Sequence, residues 1–269
     1  MSVSFDIKNK VAVVTGGAGV LCAAMCRELA NAEAKVAVLD LREESAEALA
    51  REIGRGAIGI GCNVLEKSSI EKAAGFVMDH FGKVDILING AGGNKPQATT
   101  SPTQTFFDIP EDAYRWVFDL NIMGTILSSQ VFGKIMTVQE SGVILNISSM
   151  NAFRPLTHIA AYSAAKAAVS NFTQWLAVYF AQEFSPAIRV NAIAPGFFRT
   201  EQNRFLLTDR ETGELTARGK AIISHLPQGR FGVPEDLLGA MMWLVSPAST
   251  YVTGVVVPVD GGFSAFSGV

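Results

Sequence analysis

Short apolar runs rich in β-branched residues alternate along this chain with longer amphipathic stretches. The apolar runs are typical of strands buried on both faces, and they lie at 10–15, 35–40, 57–64, 84–89, 143–148, 188–194 and 255–259. The amphipathic stretches predict helices at 23–32, 43–53, 68–81, 111–136, 156–184, about 215–225 and 234–245. This alternation predicts an α/β fold, a doubly wound sheet of seven parallel strands with helices on both faces.

Two polar excursions interrupt the alternation, at about 93–110 and 197–231. Both are too long for simple connections, and loops of this length in a compact domain are usually functional or disordered. The chain shows no internal repeat and no linker composition. We therefore expect a single domain over residues 1–269, with the two excursions as its substrate loops.

Composition narrows the class of protein. The 269 residues are 49% hydrophobic and 17% charged, which is typical of a globular chain with a large core. The net charge of −3 comes without a basic cluster, so nothing favours nucleic acid or an anionic membrane as a partner. No run of about 20 apolar residues predicts a membrane span. The default expectation is a cytoplasmic enzyme or binding protein.

Cysteine and histidine positions bear on disulfides and metals. Cys22, Cys26 and Cys62 cannot form a complete disulfide set, and we interpret them as small buried hydrophobic residues in a reducing compartment. The three histidines, at 80, 158 and 225, are scattered, so the sequence predicts no metal site.

A glycine-rich turn stands between the first predicted strand and the first predicted helix. Residues 15–19, TGGAG, allow backbone N–H groups to approach a pyrophosphate at the N-terminus of that helix. Asp40 ends the second strand 24 residues after Gly16 and suits the ribose hydroxyls of an adenosine. Its charge would repel a 2′-phosphate, so NAD is favoured, although Arg42 leaves NADP open. Small residues at 89–92, NGAG, allow a second close approach of backbone to ligand.

Tyr162 and Lys166 have the i, i+4 spacing of residues on one face of a helix. An ammonium near a phenol favours the phenolate, so we expect the pKa of Tyr162 to fall from about 10 towards the working range of a general acid/base. Ser149 ends the fifth strand thirteen residues earlier, and a loop of that length can return its hydroxyl to the phenol. A bare Y-x-x-x-K is also common in ordinary helices, so the surrounding motifs have to support this interpretation.

Taken together, the motifs resemble those of the classical short-chain dehydrogenases/reductases, from about residue 6 to residue 269. They are TGGAG (15–19), NGAG (89–92), Asn121 in LNIMGT, Ser149 in NISS, YSAAK (162–166) and PGFFRT (195–200). The resemblance implies a Rossmann-type fold that is usually assembled as a homotetramer through its long helices. Those helices are predicted here at 111–136 and 156–184.

The resemblance also implies a role for each catalytic candidate. Tyr162 would be the general acid/base, and Lys166 would lower its pKa and bind the nicotinamide ribose. Ser149 would hydrogen-bond the substrate carbonyl or hydroxyl, and Asn121 would hold a water in a proton relay towards Lys166. Contacts to NAD are implied at Gly16, Gly19, Val20, Leu21, Asp40, Asn63, Val64, Asn89, Ala91, Gly92, Tyr162, Lys166, Pro195, Gly196, Phe198 and Thr200.

The glycine turn departs from the family's TGxxxGxG pattern. Val20 and Cys22 replace the last two glycines, and Gly19 lies one position early. Because Val20 cannot readily adopt a positive φ, we expect the turn to be rearranged or to use Gly19 instead. Asn63 replaces the aspartate that commonly meets the adenine amino group, and its amide oxygen can accept the same hydrogen bond.

Four segments resemble those of short-chain-type D-mannonate oxidoreductases, also called fructuronate reductases. They are GAGGNKPQATT (90–100), NISSMNAFRPLT (146–157), APGFFRTEQNRFLL (194–207) and VVVPVDGGFSAFSGV (255–269). This narrower resemblance implies a small-molecule sugar acid as substrate, with D-mannonate and D-fructuronate interconverted. The expected substrate contacts are Asn94, Lys95, Ser149, Asn151, Arg154 and Arg204, with Arg154, Lys95 or Arg204 binding the carboxylate.

Two alternatives stay open. Another sugar-acid or polyol dehydrogenase of the same fold, for example one acting on gluconate at C5, would carry the same motifs. The altered glycine turn also allows a dinucleotide-binding regulatory protein without catalytic activity. The complete set of Asn121, Ser149, Tyr162 and Lys166 argues against that second alternative.

Overall fold

The computed structural model describes residues 3–199, 207–209 and 212–268. Seven strands form one sheet in the order β3-β2-β1-β4-β5-β6-β7, and every neighbouring pair is parallel. They are β1 (Val11–Thr15), β2 (Lys35–Asp40), β3 (Ile58–Gly61), β4 (Ile86–Asn89), β5 (Gly142–Ile147), β6 (Ile188–Pro195) and β7 (Val256–Val259). The predicted doubly wound, seven-stranded parallel sheet is confirmed.

Helices cover both faces of this sheet. They are α1 (Val20–Asn31), α2 (Glu43–Ile53), α3 (Lys67–Phe81), α4 (Glu111–Phe118), α5 (Gly124–Gln139), α6 (Ala160–Glu183), α7 (Ala217–Ile223) and α8 (Leu238–Val245). Alternate residues of β1 enter two separate cores, because successive side chains of a strand point to opposite faces. Ala12 and Val14 join the core that includes α1, α2 and α8, whereas Val11 and Val13 join the core that includes α3, α5 and α6.

Several predicted boundaries were wrong, each for a local reason. The first helix begins at Val20 rather than 23, because Gly19 is its extended N-terminal cap. The helix predicted at 156–184 begins only at Ala160, since His158 has a φ of 76°, which a right-handed helix cannot contain. The helix predicted at 111–136 is interrupted by a π-helical turn, Asp119–Met123, and continues to Gln139.

The strand order reverses beside β1, which places a crevice at the carboxyl ends of β1 and β4. In open α/β sheets ligands bind at such a point. The predicted nucleotide and catalytic residues lie at or beyond the carboxyl ends of the six strands β1 to β6. Over the same described ranges, no helix combines the length and apolar character needed to cross a membrane.

Candidate active site

The turn after β1 owes its shape to Gly16. This residue has a φ of 60°, the left-handed region that favours glycine, whereas Gly19 has a φ of −69°. Val20 is already the first residue of α1, so it needs no positive φ. The turn was expected to be rearranged around Val20 or to use Gly19 instead; the positive φ falls on Gly16, so no rearrangement is needed, and Gly19 serves as the cap of α1. The replacement of a glycine by Val20 is tolerated because the helix starts one residue after Gly19.

The turn after β1 and the turn after β4 meet at this edge of the sheet, and Gly16 lies too close to Ala91 for a side chain to fit between them. A β-carbon built on Gly16 would lie 2.8 Å from the Cα of Ala91. The hydroxyl Oγ1 of Thr15 accepts the backbone N–H groups of Gly90 (3.2 Å) and Ala91 (3.3 Å). The first N–H groups of α1, at Val20 and Leu21, have no acceptor within their own helix. Such a helix start beside a glycine turn is suited to a phosphate group.

Asp40 lies against the glycine turn, as its position at the end of β2 predicts. Its carboxylate accepts the N–H of Ala18 at 3.2 Å and the N–H of Arg42 at 3.2 Å. Asn63 closes its own turn, with its amide oxygen accepting the N–H of Leu65 at 3.1 Å. Val64 is buried and packs near Gly124, where an added β-carbon would lie 2.9 Å from a Val64 methyl group.

Asn89 points into the protein instead of towards a ligand. It is 2% exposed, and its amide nitrogen donates to Ser129 Oγ (2.9 Å) and Asn146 Oδ1 (2.8 Å). Asn146 in turn donates to Thr173 Oγ1 at 2.9 Å. The Asn89 side chain therefore ties β4 to β5 and α5, and a cofactor could meet only the backbone of this residue.

Lys166 is the most deeply buried charged group at this edge of the sheet. It is 4% exposed, and its ammonium donates to the carbonyl oxygen of Ile147 at 2.7 Å. Burial lowers the pKa of Lys166 to about 8. A β-carbon added to Gly92 would lie 3.1 Å from the Lys166 nitrogen and 2.7 Å from Asn121 Oδ1, so the three residues are in contact.

Asn121 is placed by the π-helical turn between α4 and α5. Its side-chain nitrogen donates to the carbonyl oxygens of Gly93 and Val117, both at 2.7 Å, and its Oδ1 accepts the N–H of Gly93 at 3.1 Å. The side chain thus fixes the start of the 93–110 excursion beside Lys166. Its role in a proton relay stays a prediction.

Tyr162 and Ser149 complete the cluster. Burial raises the pKa of Tyr162, and a hydrogen bond with Ser149 opposes this rise without cancelling it. The Lys166 nitrogen lies 5.6 Å from the centre of the Tyr162 ring and is bonded to Ile147 instead. The expected fall in the pKa of Tyr162 was therefore wrong for the protein alone, because desolvation of the phenolate outweighs the hydrogen bond with Ser149.

The arrangement provides the groups that proton transfer to a carbonyl oxygen requires. Ser149 Oγ accepts the N–H of Asn151 at 3.3 Å, and the serine hydroxyl also shares a hydrogen bond with Tyr162. Tyr162 supplies a phenol, and Lys166 supplies a cation beside it. In the part of the chain that the structure describes, no group of three or more His, Cys, Asp or Glu side chains is placed to hold a metal ion.

Comparison with known proteins identifies the family. The family model described as short chain dehydrogenase matches residues 10–211. The chain belongs to the short-chain dehydrogenase family. It is 48% identical to an uncharacterized oxidoreductase, UxuB, of Bacillus subtilis (98% of each chain covered) and 34% identical to a D-threitol dehydrogenase of Mycolicibacterium smegmatis (98% of this chain and 97% of the relative).

A solved structure gives the same family and a similar backbone. It is a protein from Haemophilus influenza with bound NAD, named as a candidate D-mannonate oxidoreductase. Its sequence is 48% identical to this chain over 98% of both, and the TM-score is 0.92. Relatives in the family are dehydrogenases and oxidoreductases that act on CH–OH groups, and this chain is an enzyme of that type.

The predicted substrate residues are more dispersed than the catalytic cluster. Asn94 donates to Thr99 Oγ1 at 3.0 Å, and the Lys95 nitrogen lies 5.3 Å from the Trp116 ring centre. Arg154 donates from Nε to the carbonyl oxygen of Ser264 at 3.2 Å.

Asn151 is 5% exposed, and its Oδ1 is buried without a hydrogen-bond partner among the described residues. This oxygen is therefore closed to a ligand in the present arrangement.

The remaining predicted contacts follow β6. Gly196 donates its N–H to Val259 at 2.9 Å and touches Asp260, where any β-carbon would overlap the Asp260 backbone. Phe198 is 6% exposed and packs on Gly232. Pro195 is the last residue of β6. Thr200 and Arg204 lie outside the described residues.

Two groups of the site had not been predicted. Thr15 joins the turns after β1 and β4 through its hydroxyl, and its position directly before the glycine turn is the signal that could have indicated it. The backbone carbonyl of Ile147 accepts the Lys166 ammonium. A backbone acceptor leaves no trace in the sequence, so that contact could not have been predicted.

The Tyr162→Phe variant should lose at least about 100-fold in kcat, since general acid/base catalysis contributes that much or more. NADH affinity should stay near the wild-type value, because the ring that packs in the cluster with Ala161 is retained. Steady-state kinetics measure kcat, and fluorescence titration measures the affinity for NADH. Tyr114→Phe is the matched control: Tyr114 packs in the same cluster, and its buried hydroxyl has no hydrogen-bond partner among the described residues. Equal activity of the two variants would remove Tyr162 from the mechanism.

Proposed function

We propose that this enzyme uses NAD(H) to interconvert a secondary alcohol of a sugar acid and the corresponding ketone, with D-mannonate and D-fructuronate as the pair. The observation that carries the proposal is the placement of Ser149, Tyr162 and Lys166 at the sheet edge that also bears the glycine turn and Asp40. The name of the Haemophilus influenza relative supports the choice of a sugar acid, and its bound NAD supports the choice of cofactor.

The residues of the glycine turn fit a dinucleotide. Gly16 lets the turn approach the backbone of Ala91 closely, and α1 presents its positive end there. The carboxylate of Asp40 would accept hydrogen bonds from ribose hydroxyls. When bound, the nicotinamide supplies the hydride for reduction or accepts it in oxidation.

In the reductive direction, the proton comes from this chain. Ser149 donates its O–H to the oxygen of the C5 ketone and polarises the carbonyl. Tyr162 donates its phenolic proton to the same oxygen, which completes the alcohol as hydride reaches the carbon. The raised pKa of Tyr162 keeps the phenol protonated in the resting protein. The Lys166 cation beside the ring stabilises the phenolate that remains. Oxidation of D-mannonate follows the same steps in reverse.

For the substrate carboxylate, we favour Arg154 among the predicted cations. It follows Ser149 by five residues on the loop that leads to Tyr162, and its bond to Ser264 anchors the guanidinium. A guanidinium matches a carboxylate with two parallel hydrogen bonds. Lys95 is held over Trp116 and is the second choice.

The substrate class is tested by NADH oxidation with D-fructuronate, tagaturonate, 5-ketogluconate and the uncharged sugar fructose. We expect D-fructuronate to exceed the other acids in kcat/KM by an order of magnitude or more. Arg154→Met should lower kcat/KM roughly 10- to 100-fold with the acid, the usual value of a charge-assisted pair, and little with fructose.

Preference for 5-ketogluconate would instead favour the gluconate alternative, and preference for fructose would favour a polyol dehydrogenase such as the D-threitol relative. NADH binding without turnover of any substrate would favour the regulatory alternative.

Cofactor choice is tested at Asp40. The Asp40→Ala variant should bind NADH roughly 10-fold more weakly, since charge-assisted hydrogen bonds to the ribose are lost, and NADPH more tightly. Fluorescence titrations with both cofactors measure the change in preference. Glu44→Ala, an exposed acid at the start of α2, is the control and should leave the preference unchanged. An unaltered NADH to NADPH ratio in Asp40→Ala would place Asp40 outside the ribose site.

We also propose a homotetramer assembled through α5 and α6. Between these helices lies a groove of about 700 Å³, lined mainly by apolar side chains. Trp175, Tyr179 and Phe184 there are 56%, 39% and 52% exposed, and the Trp175 and Tyr179 rings stack at 4.9 Å. The same face of a second copy would cover these rings, as the long helices do in the family.

A charge at the centre of this face should break the assembly. Trp175→Glu is expected to elute as a smaller species than wild type in size-exclusion chromatography with light scattering, because an unpaired carboxylate is costly to bury. Phe5→Glu, at another exposed aromatic residue, should keep the wild-type mass. A tetramer that persists in Trp175→Glu would contradict this interface.

The three cysteines are buried free thiols, which supports a cytoplasmic location for the enzyme. Recovery of the protein in the membrane or secreted fraction of its cells would contradict that proposal.

A further inference from the structure

Cys22 and Gly90 occupy one space between α1 and the turn after β4. Cys22 is the third residue of α1 and is 5% exposed. A β-carbon built on Gly90 would overlap the Cys22 sulfur and lie 2.8 Å from the carbonyl oxygen of Thr15. Position 90 therefore admits only glycine while Cys22 is present. Cys22 is also the residue that replaces the last glycine of the family's TGxxxGxG pattern. The side chain that this replacement adds to α1 faces Gly90, which has no side chain.

The Cys22 thiol acts through its volume. Burial raises the pKa of this thiol to about 12, so it stays protonated and uncharged at neutral pH. A neutral buried cysteine behaves as a small hydrophobic residue. Its sulfur fills the space above Gly90 that would otherwise be a void, and close-packed interiors transmit such changes in volume to their neighbours.

The turn that Cys22 supports leads directly to the catalytic lysine. Gly90 and Ala91 donate their N–H groups to Thr15 Oγ1, and Gly92 packs against Asn121 and Lys166. The residues 90–92 are thus held between the Cys22 sulfur on one side and the catalytic cluster on the other. Gly90 and Ala91 are partly buried, so a shift of Gly90 would be passed along this short turn to Gly92, which lies beside Lys166.

We propose that Cys22 is a positioning residue, which together with Gly90 sets the position of residues 90–92 against Lys166 and the bound dinucleotide. This inference rests on the proposed dinucleotide function. The residues at positions 22 and 90 therefore depend on each other, because a side chain at position 90 requires a residue smaller than cysteine at position 22. The Val20 and Cys22 departures then have separate explanations, since Val20 only begins the helix.

The test adds side-chain volume at position 90 and removes side-chain volume at position 22. Gly90→Ala should weaken NADH binding and lower kcat/KM roughly 10- to 100-fold, as expected for overpacking of a tight site. The double variant Cys22→Ala/Gly90→Ala should recover part of this loss, since it removes the overlap with the sulfur but keeps the close approach to the Thr15 carbonyl oxygen. With the sulfur removed, the added carbon would be 3.6 Å from the Cβ at position 22, an ordinary contact distance, and still 2.8 Å from the carbonyl oxygen of Thr15.

Gly142→Ala is the matched control. Its β-carbon would lie 2.5 Å from the Met136 sulfur, but at the amino end of β5, the opposite edge of the sheet. This variant should lower the melting temperature and leave the NADH dissociation constant unchanged. If Gly90→Ala behaves in the same way, with only the melting temperature lowered, or if the double variant is no better than Gly90→Ala, the proposal is wrong.

If Gly90→Ala does not fold, Cys22→Ala alone decides the question. It should fold, because alanine suits the first turn of α1, and should bind NADH roughly 3- to 10-fold more weakly because of the void above Gly90. Wild-type affinity and wild-type kcat in Cys22→Ala would overturn the proposal. Absence of NADH binding by the wild-type protein would instead overturn the proposed function, so the two failures are distinguishable.

Discussion

The burial of a single ammonium group, that of Lys166, is the constraint on which the rest of the site depends. Removing such a charge from water is costly unless hydrogen bonds replace its hydration, and here the carbonyl oxygen of Ile147 is the acceptor at 2.7 Å. The backbone of Lys166 is fixed as well, because its carbonyl oxygen accepts from Ser148 at 3.1 Å. The end of β5 therefore holds both ends of this residue, and it brings Ser149 to the same place as Tyr162. A loop without these contacts would not hold Lys166, Ser149 and Tyr162 at fixed distances from one another.

The site also requires that two backbone turns approach each other closely, and the parallel sheet provides this. At the carboxyl ends of β1 and β4, glycines remove the side chains that would otherwise separate the turns, and Thr15 bonds one turn to the other. The acidic end of β2 borders the same crevice through Asp40. The proposed dinucleotide binding and the proposed proton transfer thus share one sheet edge. The side chains of Asn89, Asn146 and Thr173 form the buried polar layer beneath it.

Much of this could be predicted from the sequence, because strands buried on both faces and amphipathic helices have distinct periodicities. The spacing of Tyr162 and Lys166 likewise predicted a shared helix face. Local backbone geometry could not be predicted. The positive φ of Gly16 shapes the turn before α1, the positive φ of His158 delays the start of α6, and neither follows from residue type alone. The pKa of Tyr162 was predicted in the wrong direction because spacing indicates a neighbouring charge but not the depth of burial. The inward direction of Asn89 depends on partners from α5 and β5, which only the fold brings together.

The central claim is that hydride goes to carbon while Tyr162 supplies the proton to oxygen. Reduction of D-fructuronate with NADH deuterated at C4, followed by NMR of the product, measures this most directly. The account predicts one deuterium at the new carbinol carbon, retained in ordinary water, because a hydride transferred between carbon atoms does not exchange with solvent. Product that forms at the wild-type rate with hydrogen from water at that carbon would contradict it.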